Sequence, residues 1–104
     1  MTTDPTAAET AVLRYTVKPD HLDRHLRLLA DVYAELDRLR PARFSWATYR
    51  IPGSRDFIEI ATGHPLPGPL PGLPAFQRYR ADLDDRCETR RFDNVTLIGA
   101  FGSA

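Results

Sequence analysis

Residues 63–74 read GHPLPGPLPGLP, with five prolines and three glycines. Proline removes a backbone donor and fixes φ, so neither a helix nor a paired strand can run through this stretch. All regular structure must come from the residues before 63 and after 74. A loop of this length is long for a compact domain. Leu66, Leu70 and Leu73 interleave with the prolines, which predicts an ordered lid or edge cover packed on the domain rather than a free linker.

The flanking sequence supplies the elements. Residues 10–18 (TAVLRYTVK) alternate, with Leu13, Tyr15 and Val17 on one side and Val12, Arg14, Thr16 and Lys18 on the other, the pattern of a half-buried strand. Pro19 ends it. Asp20 is placed to cap a helix, and Asp23 lies near the positive end of its dipole. Leu22, Leu26, Leu29, Tyr33 and Leu36 make one helical stripe, Arg38 and Arg40 occupy the last turn, and Pro41 stops the run. The spacing predicts a helix over 20–40. Residues 43–51 and 56–62 alternate around Pro52-Gly53-Ser54, a turn signal, so 43–62 reads as a hairpin. Pro74 suits the first turn of a second helix, with Phe76, Tyr79, Leu83 and Cys87 on its apolar stripe, and 92–101 is expected as the last strand. The order β-α-β-β-α-β is the ferredoxin-like pattern: an α+β fold with a four-stranded antiparallel sheet and two helices on one face. Residues 1–9 read as a tail and 10–104 as a single domain.

The balance of charge excludes whole classes of function. Lys and Arg total 14, Asp and Glu total 14, so nothing draws the chain to nucleic acid or to an anionic membrane. No apolar run reaches the roughly 20 residues of a membrane span, and the N-terminus lacks the basic and apolar regions of a signal peptide. A cytoplasmic protein is expected. The single cysteine, Cys87, excludes an intrachain disulfide and a cysteine-rich zinc site. There is neither a phosphate-cradling glycine loop nor a dinucleotide fingerprint, and no metal site or cofactor is expected.

Several residues can carry chemistry. Arg14 and Glu59 are polar at central alternating positions. With the first and third strands adjacent and parallel, they are expected to share a face and meet. Glu59 would then be a base and Arg14 would steady a phenolate or enolate, the alternative being a structural ion pair. His64 opens the Pro/Gly loop and is a second candidate base near neutral pH, or an exposed loop histidine. Trp46 shares a face with Phe44 and Thr48 and offers a stacking wall for a flat ligand, or fills a subunit interface. Tyr49 and Phe57 complete the candidate substrate-binding set. His21 and His25 have metal-binding i, i+4 spacing but lack a third ligand, and read as a polar helix face. Cys87 reads as packing.

The stretches VLRYTVKP (12–19), LDRLRPARFSWATYRI (36–51), DFIEIA (56–61), LPAFQRYRADLDDRC (73–87) and VTLIGAF (95–101) resemble the antibiotic biosynthesis monooxygenase-like superfamily. The small bacterial members called quinol monooxygenases are the most similar, although they commonly carry a histidine where this chain has Glu59. The resemblance implies a homodimeric α/β barrel, with Trp46 and Phe44 facing a second subunit. It also implies a cofactor-free monooxygenase acting on an electron-rich aromatic of the hydroquinone or anthrone type. A polyketide cyclase or isomerase on the same base, and a non-catalytic dimeric ligand-binding or stress-related protein, remain open alternatives.

Overall fold

The structure, a computed structural model, describes residues 8–102; most of the expected N-terminal tail lies outside them. The elements are β1 (Glu9–Val17), α1 (Leu22–Leu39), β2 (Phe44–Arg50), β3 (Asp56–Gly63), α2 (Pro74–Ala81), α3 (Leu83–Arg86) and β4 (Cys87–Val95). The four strands form one antiparallel sheet in the order β2-β3-β1-β4, with the helices on one face, as the pattern predicts. Among the described residues no helix is long and apolar enough to cross a membrane.

Local chemistry sets the boundaries. Asp20 does not cap α1. Pro19–His21 form a 3-10 turn, and the helix starts behind it at Leu22. At the other end Arg40 takes the left-handed conformation (φ 49°) and its N–H bonds to the Leu36 carbonyl at 2.7 Å, closing the helix before Pro41. The first turn of α2 has a backbone donor without a partner in its own helix, and α1 satisfies it: Glu35 Oε1 accepts from Ala75 N at 3.3 Å. Arg24 of α1 bonds Asp82 between α2 and α3 at 2.9 Å, so α1 and α2 are tied at both ends. The loop before α2 is ordered. Leu70 and Leu73 are buried in the core and Leu70–Gly72 form a 3-10 turn.

Pairing and register correct two expectations. β1 and β3 are adjacent but antiparallel, because the connection between them passes through β2, and Leu13 rather than Arg14 stands opposite Glu59. Opposed residues share a sheet face. Leu13, Tyr15, Phe57, Glu59, Ala61, Trp46 and Thr48 therefore all point toward the helices. Arg14 stands opposite Ile58 and Arg91 on the other face, where it is exposed. The expected Arg14–Glu59 pair does not form. Trp46 and Phe44, expected on the face away from the helices, lie beneath them. The last strand also differs, starting at Cys87, which opens β4 instead of ending the second helix.

Tyr15, Val17, Leu29, Val32, Phe57, Tyr79 and Leu83 form the centre of the core. Among the described residues, three charged or ionisable polar side chains are buried with them: His25, Glu59 and Arg86.

Candidate active site

Glu59 sits at the middle of β3, its side chain turned into the layer between sheet and helices and only 4% exposed. Two hydroxyls converge on its Oε2, Tyr15 Oη from β1 and Tyr79 Oη from α2, each donating at 2.5 Å. Behind Tyr15, His25 Nε2 of α1 lies 2.8 Å from the same hydroxyl. Arg86 Nε of α3 donates to His25 Nδ1 at 3.3 Å. Arg86 also donates to the Tyr79 carbonyl at 2.7 Å, pairs with Asp82, and lies 5.2 Å from the Tyr79 ring centre. Among the described residues every buried side-chain polar atom has a partner. Removing one member would leave the others buried and unsatisfied, which costs far more than the bond itself contributes.

Burial sets the electrostatics. It pushes the Glu59 carboxyl above its ordinary range, and the Tyr15 and Tyr79 donors and the Arg86 charge offset that only in part. Burial and the neighbouring carboxylate hold both tyrosines protonated far into alkali. Burial and the Arg86 charge lower His25 to about 4, so at neutral pH its imidazole is uncharged.

Glu59 and Tyr79 form part of the floor of a cleft of about 670 Å³, bounded by the sheet, α2 and the Pro/Gly loop. Its walls are apolar and aromatic: Trp46 and Phe76 at the inner end, Leu66 and Leu70 from the loop, Phe92 from β4. Trp46 is fixed by stacking on Tyr33 (5.0 Å, 14°) and by edge contacts to Phe76 and Tyr79. Tyr33 in turn bonds Thr48 Oγ1 at 2.7 Å. Asn94, Arg80 and Arg90 also line the cleft. Arg90 is paired with Asp84 at 2.9 Å, whereas exposed Arg80 has no ion-pair partner among the described residues. Volume, lining and convergent polar groups are those of a small-molecule site.

Of the residues singled out from sequence, the structure brings Glu59 and Trp46 to this cleft, with Thr48 behind Trp46 as support. Phe57 is core, stacked on Tyr15 at 5.3 Å. Tyr49 is 58% exposed on the opposite face, and Arg14 is there too. His64 is exposed outside the cleft, its Nδ1 lying 3.3 Å from Arg43 Nη2. Sequence reasoning missed Tyr15, His25, Tyr79 and Arg86 as site groups. A signal existed for two of them. His25 lies three residues after Leu22 and four before Leu29, and Arg86 lies three after Leu83. Each is a polar residue on an apolar stripe, where only a partnered group can stay.

The architecture is that of a known class. A Bacteroides thetaiotaomicron protein assigned as an antibiotic biosynthesis monooxygenase superimposes with TM-score 0.78 at 12% identity, over 97% of this chain and 99% of that one. PA3566 from Pseudomonas aeruginosa gives 0.71 at 13% identity, over 93% and 100%. SnoaB from Streptomyces nogalater, a cofactor-independent oxygenase, gives 0.67 at 17% identity, over 92% and 98%. The chain therefore has the fold of the antibiotic biosynthesis monooxygenase proteins. No protein-family profile matches it, and no curated protein is significantly similar in sequence.

Proposed function

We propose that this protein is a cofactor-independent monooxygenase for a flat, electron-rich phenolic compound of the hydroquinone or anthrone type, with Glu59 as its base. The observation that carries the reading is a single buried carboxylate, raised in basicity, at the floor of an aromatic-walled cleft. A base buried there can remove the weakly acidic proton of a phenol or of an activated methylene. Trp46 and Phe76 provide faces for a planar ring, and the uncommitted Arg80 at the opening favours a ligand with an acidic substituent at that end.

Glu59 takes a proton from the bound hydroxyl or methylene. The substrate anion gives one electron to dioxygen, and the resulting radical and superoxide combine in a carbon–oxygen bond. The hydroperoxide, protonated by Glu59, loses water to leave a carbonyl. One oxygen atom enters the product, the other leaves as water, and the substrate supplies all the electrons. Tyr79, donating to the carboxylate, keeps its acceptor oxygen in place throughout. The fold shared with SnoaB supports this chemistry. A second copy of the chain on the helix-free sheet face would complete the assembly.

Oxygen uptake with an anthrone and with a naphthohydroquinone tests the proposal. Uptake with one labelled atom in the product is expected, and Glu59→Gln should lower kcat by about 100-fold or more. Glu59-dependent ring closure or isomerisation without oxygen uptake would identify a cyclase instead. Ligand binding with no turnover would identify a binding protein.

A further inference from the structure

The polar groups below the cleft have only one consistent arrangement of protons. A guanidinium has donors and no acceptor, so Arg86 Nε–H donates and His25 Nδ1 must accept, at 3.3 Å. The single proton of the neutral imidazole is then on Nε2. That nitrogen faces Tyr15 Oη at 2.8 Å and donates to it. Tyr15 has one hydroxyl proton, and it goes to Glu59 Oε2 at 2.5 Å. Tyr79 Oη donates to the same oxygen, with its own ring and carbonyl held by Arg86. From Arg86 to Glu59 every bond therefore points the same way.

We propose that His25 is a positioning residue that makes this chain one-way, so that Glu59 exchanges its proton only with whatever occupies the cleft. A proton arriving on Glu59 meets two hydroxyls, Tyr15 and Tyr79; the other hydrogen-bond contact of the Tyr79 hydroxyl is Tyr15 itself, at 3.5 Å, so the interior route runs through Tyr15 to His25 either way. His25 could pass it further only from Nδ1, and that atom already faces a donor that does not deprotonate in proteins. The interior route ends there. The groups facing His25 are Tyr15 from β1, Phe57 from β3, Tyr79 from α2, Asp82 at the α2–α3 junction and Arg86 from α3. Asp82 is committed to Arg24 and Arg86, so none of them offers an exit. In the oxygenase reading, on which the catalytic part of this inference rests, the proton taken from the substrate stays on Glu59 and returns to the oxygenated intermediate. His25 touches no substrate atom; it acts through Tyr15.

Two measurements separate this inference from the oxygenase reading. Nitrogen-15 NMR of the unliganded full-length protein reports the tautomer directly, with no activity required. The expected result is a neutral Nε2–H imidazole for His25 from neutral pH down to about pH 5. An Nδ1–H tautomer, or an imidazolium at neutral pH, would overturn the chain whatever the protein catalyses. The second measurement is the pH profile of Glu59, read from kcat where turnover is found and otherwise from its carboxyl carbon-13 shift. Glutamine can accept from Arg86 and donate to Tyr15, so His25→Gln should leave the profile in place. His25→Leu removes the polarising donor and should move the acid limb upward by about one pH unit. Equal profiles in the two variants would reduce His25 to packing. Where His25→Leu fails to fold, the tautomer in the unmodified protein still decides.

Discussion

At the scale of single residues, His25 links the site to stability. Burial and the Arg86 charge lower its pKa from 6.5 to about 4. Between those values the unfolded chain binds a proton that the folded site refuses, so stability falls as pH falls through this window. The shift corresponds to roughly 2–3 kcal/mol between pH 7 and pH 4.5. His25→Gln, which does not titrate, should lose that much less over the same range, measured by urea unfolding at the two pH values. Matching losses in both proteins would mean that His25 is protonated in the fold. Arg80 gives a second prediction at this scale. It reaches the cleft opening without an ion-pair partner among the described residues. Arg80→Gln should raise KM about tenfold or more for a carboxylated phenolic substrate and leave a neutral analogue within about twofold, a difference worth about 1.4 kcal/mol of charge-assisted contact. Equal effects on both substrates would remove Arg80 from ligand recognition.

At the scale of elements, the Pro/Gly loop is a wall of the cleft, and Gly68 shows how tightly it is set. Its φ is +62°, and a Cβ there would lie 2.6 Å from Phe44 Cδ1 in β2. Gly53, in the β2–β3 turn, has φ +73° with open space around it. Both positions disfavour a side chain by conformation, but only Gly68 adds a steric clash. Gly68→Ala should cost about 2–3 kcal/mol and Gly53→Ala about 1 kcal/mol, read as a difference in urea midpoint at constant slope. Equal costs would mean that the loop yields, and then it would not form a fixed wall. Most elements were legible in the sequence because their signals are local: alternation in β1, the stripe of α1, the hairpin turn, the proline stop. What a single strand's alternation does not carry is which face meets the helices. Trp46, Phe44 and Thr48 were correctly grouped, yet the group was turned the wrong way, since facing is decided by partners distant in sequence. β4 was misplaced for a related reason. It is an edge strand with most of its residues exposed, and six of the nine in CETRRFDNV are polar. The apolar run after it drew the expectation toward the C-terminus, where Leu97, Ile98 and Phe101 stand exposed. Glu59 was legible as a polar residue in a strand. Its network was not, because Tyr15, Tyr79, His25 and Arg86 converge from four separate elements.

At the scale of the whole molecule, one face of the sheet carries no helix among the described residues. Ile60 lies near its centre, opposite Val12 on β1 and Ala47 on β2, and Ile58 lies opposite Tyr49. Ile51 and Tyr49 add exposed apolar surface to this face, and Leu97 and Ile98, beyond the end of β4, are exposed as well. Exposed apolar surface of this kind, here interrupted by Arg14 and Arg91, marks an interaction surface, and a second copy of the same chain is the partner we propose for it. The helix-facing position of Trp46 changes what substitution should do. Trp46→Asp would place a charge between Tyr33, Phe76 and Tyr79, so it should unfold the domain instead of separating subunits. Ile60→Asp places the charge on the open face, and should separate subunits while leaving the fold and the cleft intact. Sedimentation equilibrium at micromolar concentration should give about twice the chain mass of 11.8 kDa for the unmodified protein and the single-chain mass for Ile60→Asp, with unchanged far-ultraviolet circular dichroism in both. A monomeric unmodified protein would leave the sheet face without a partner and confine any ligand site to the cleft of one chain, whereas a dimer that survives Ile60→Asp would place the interface elsewhere, with the exposed C-terminal segment as the next surface to alter.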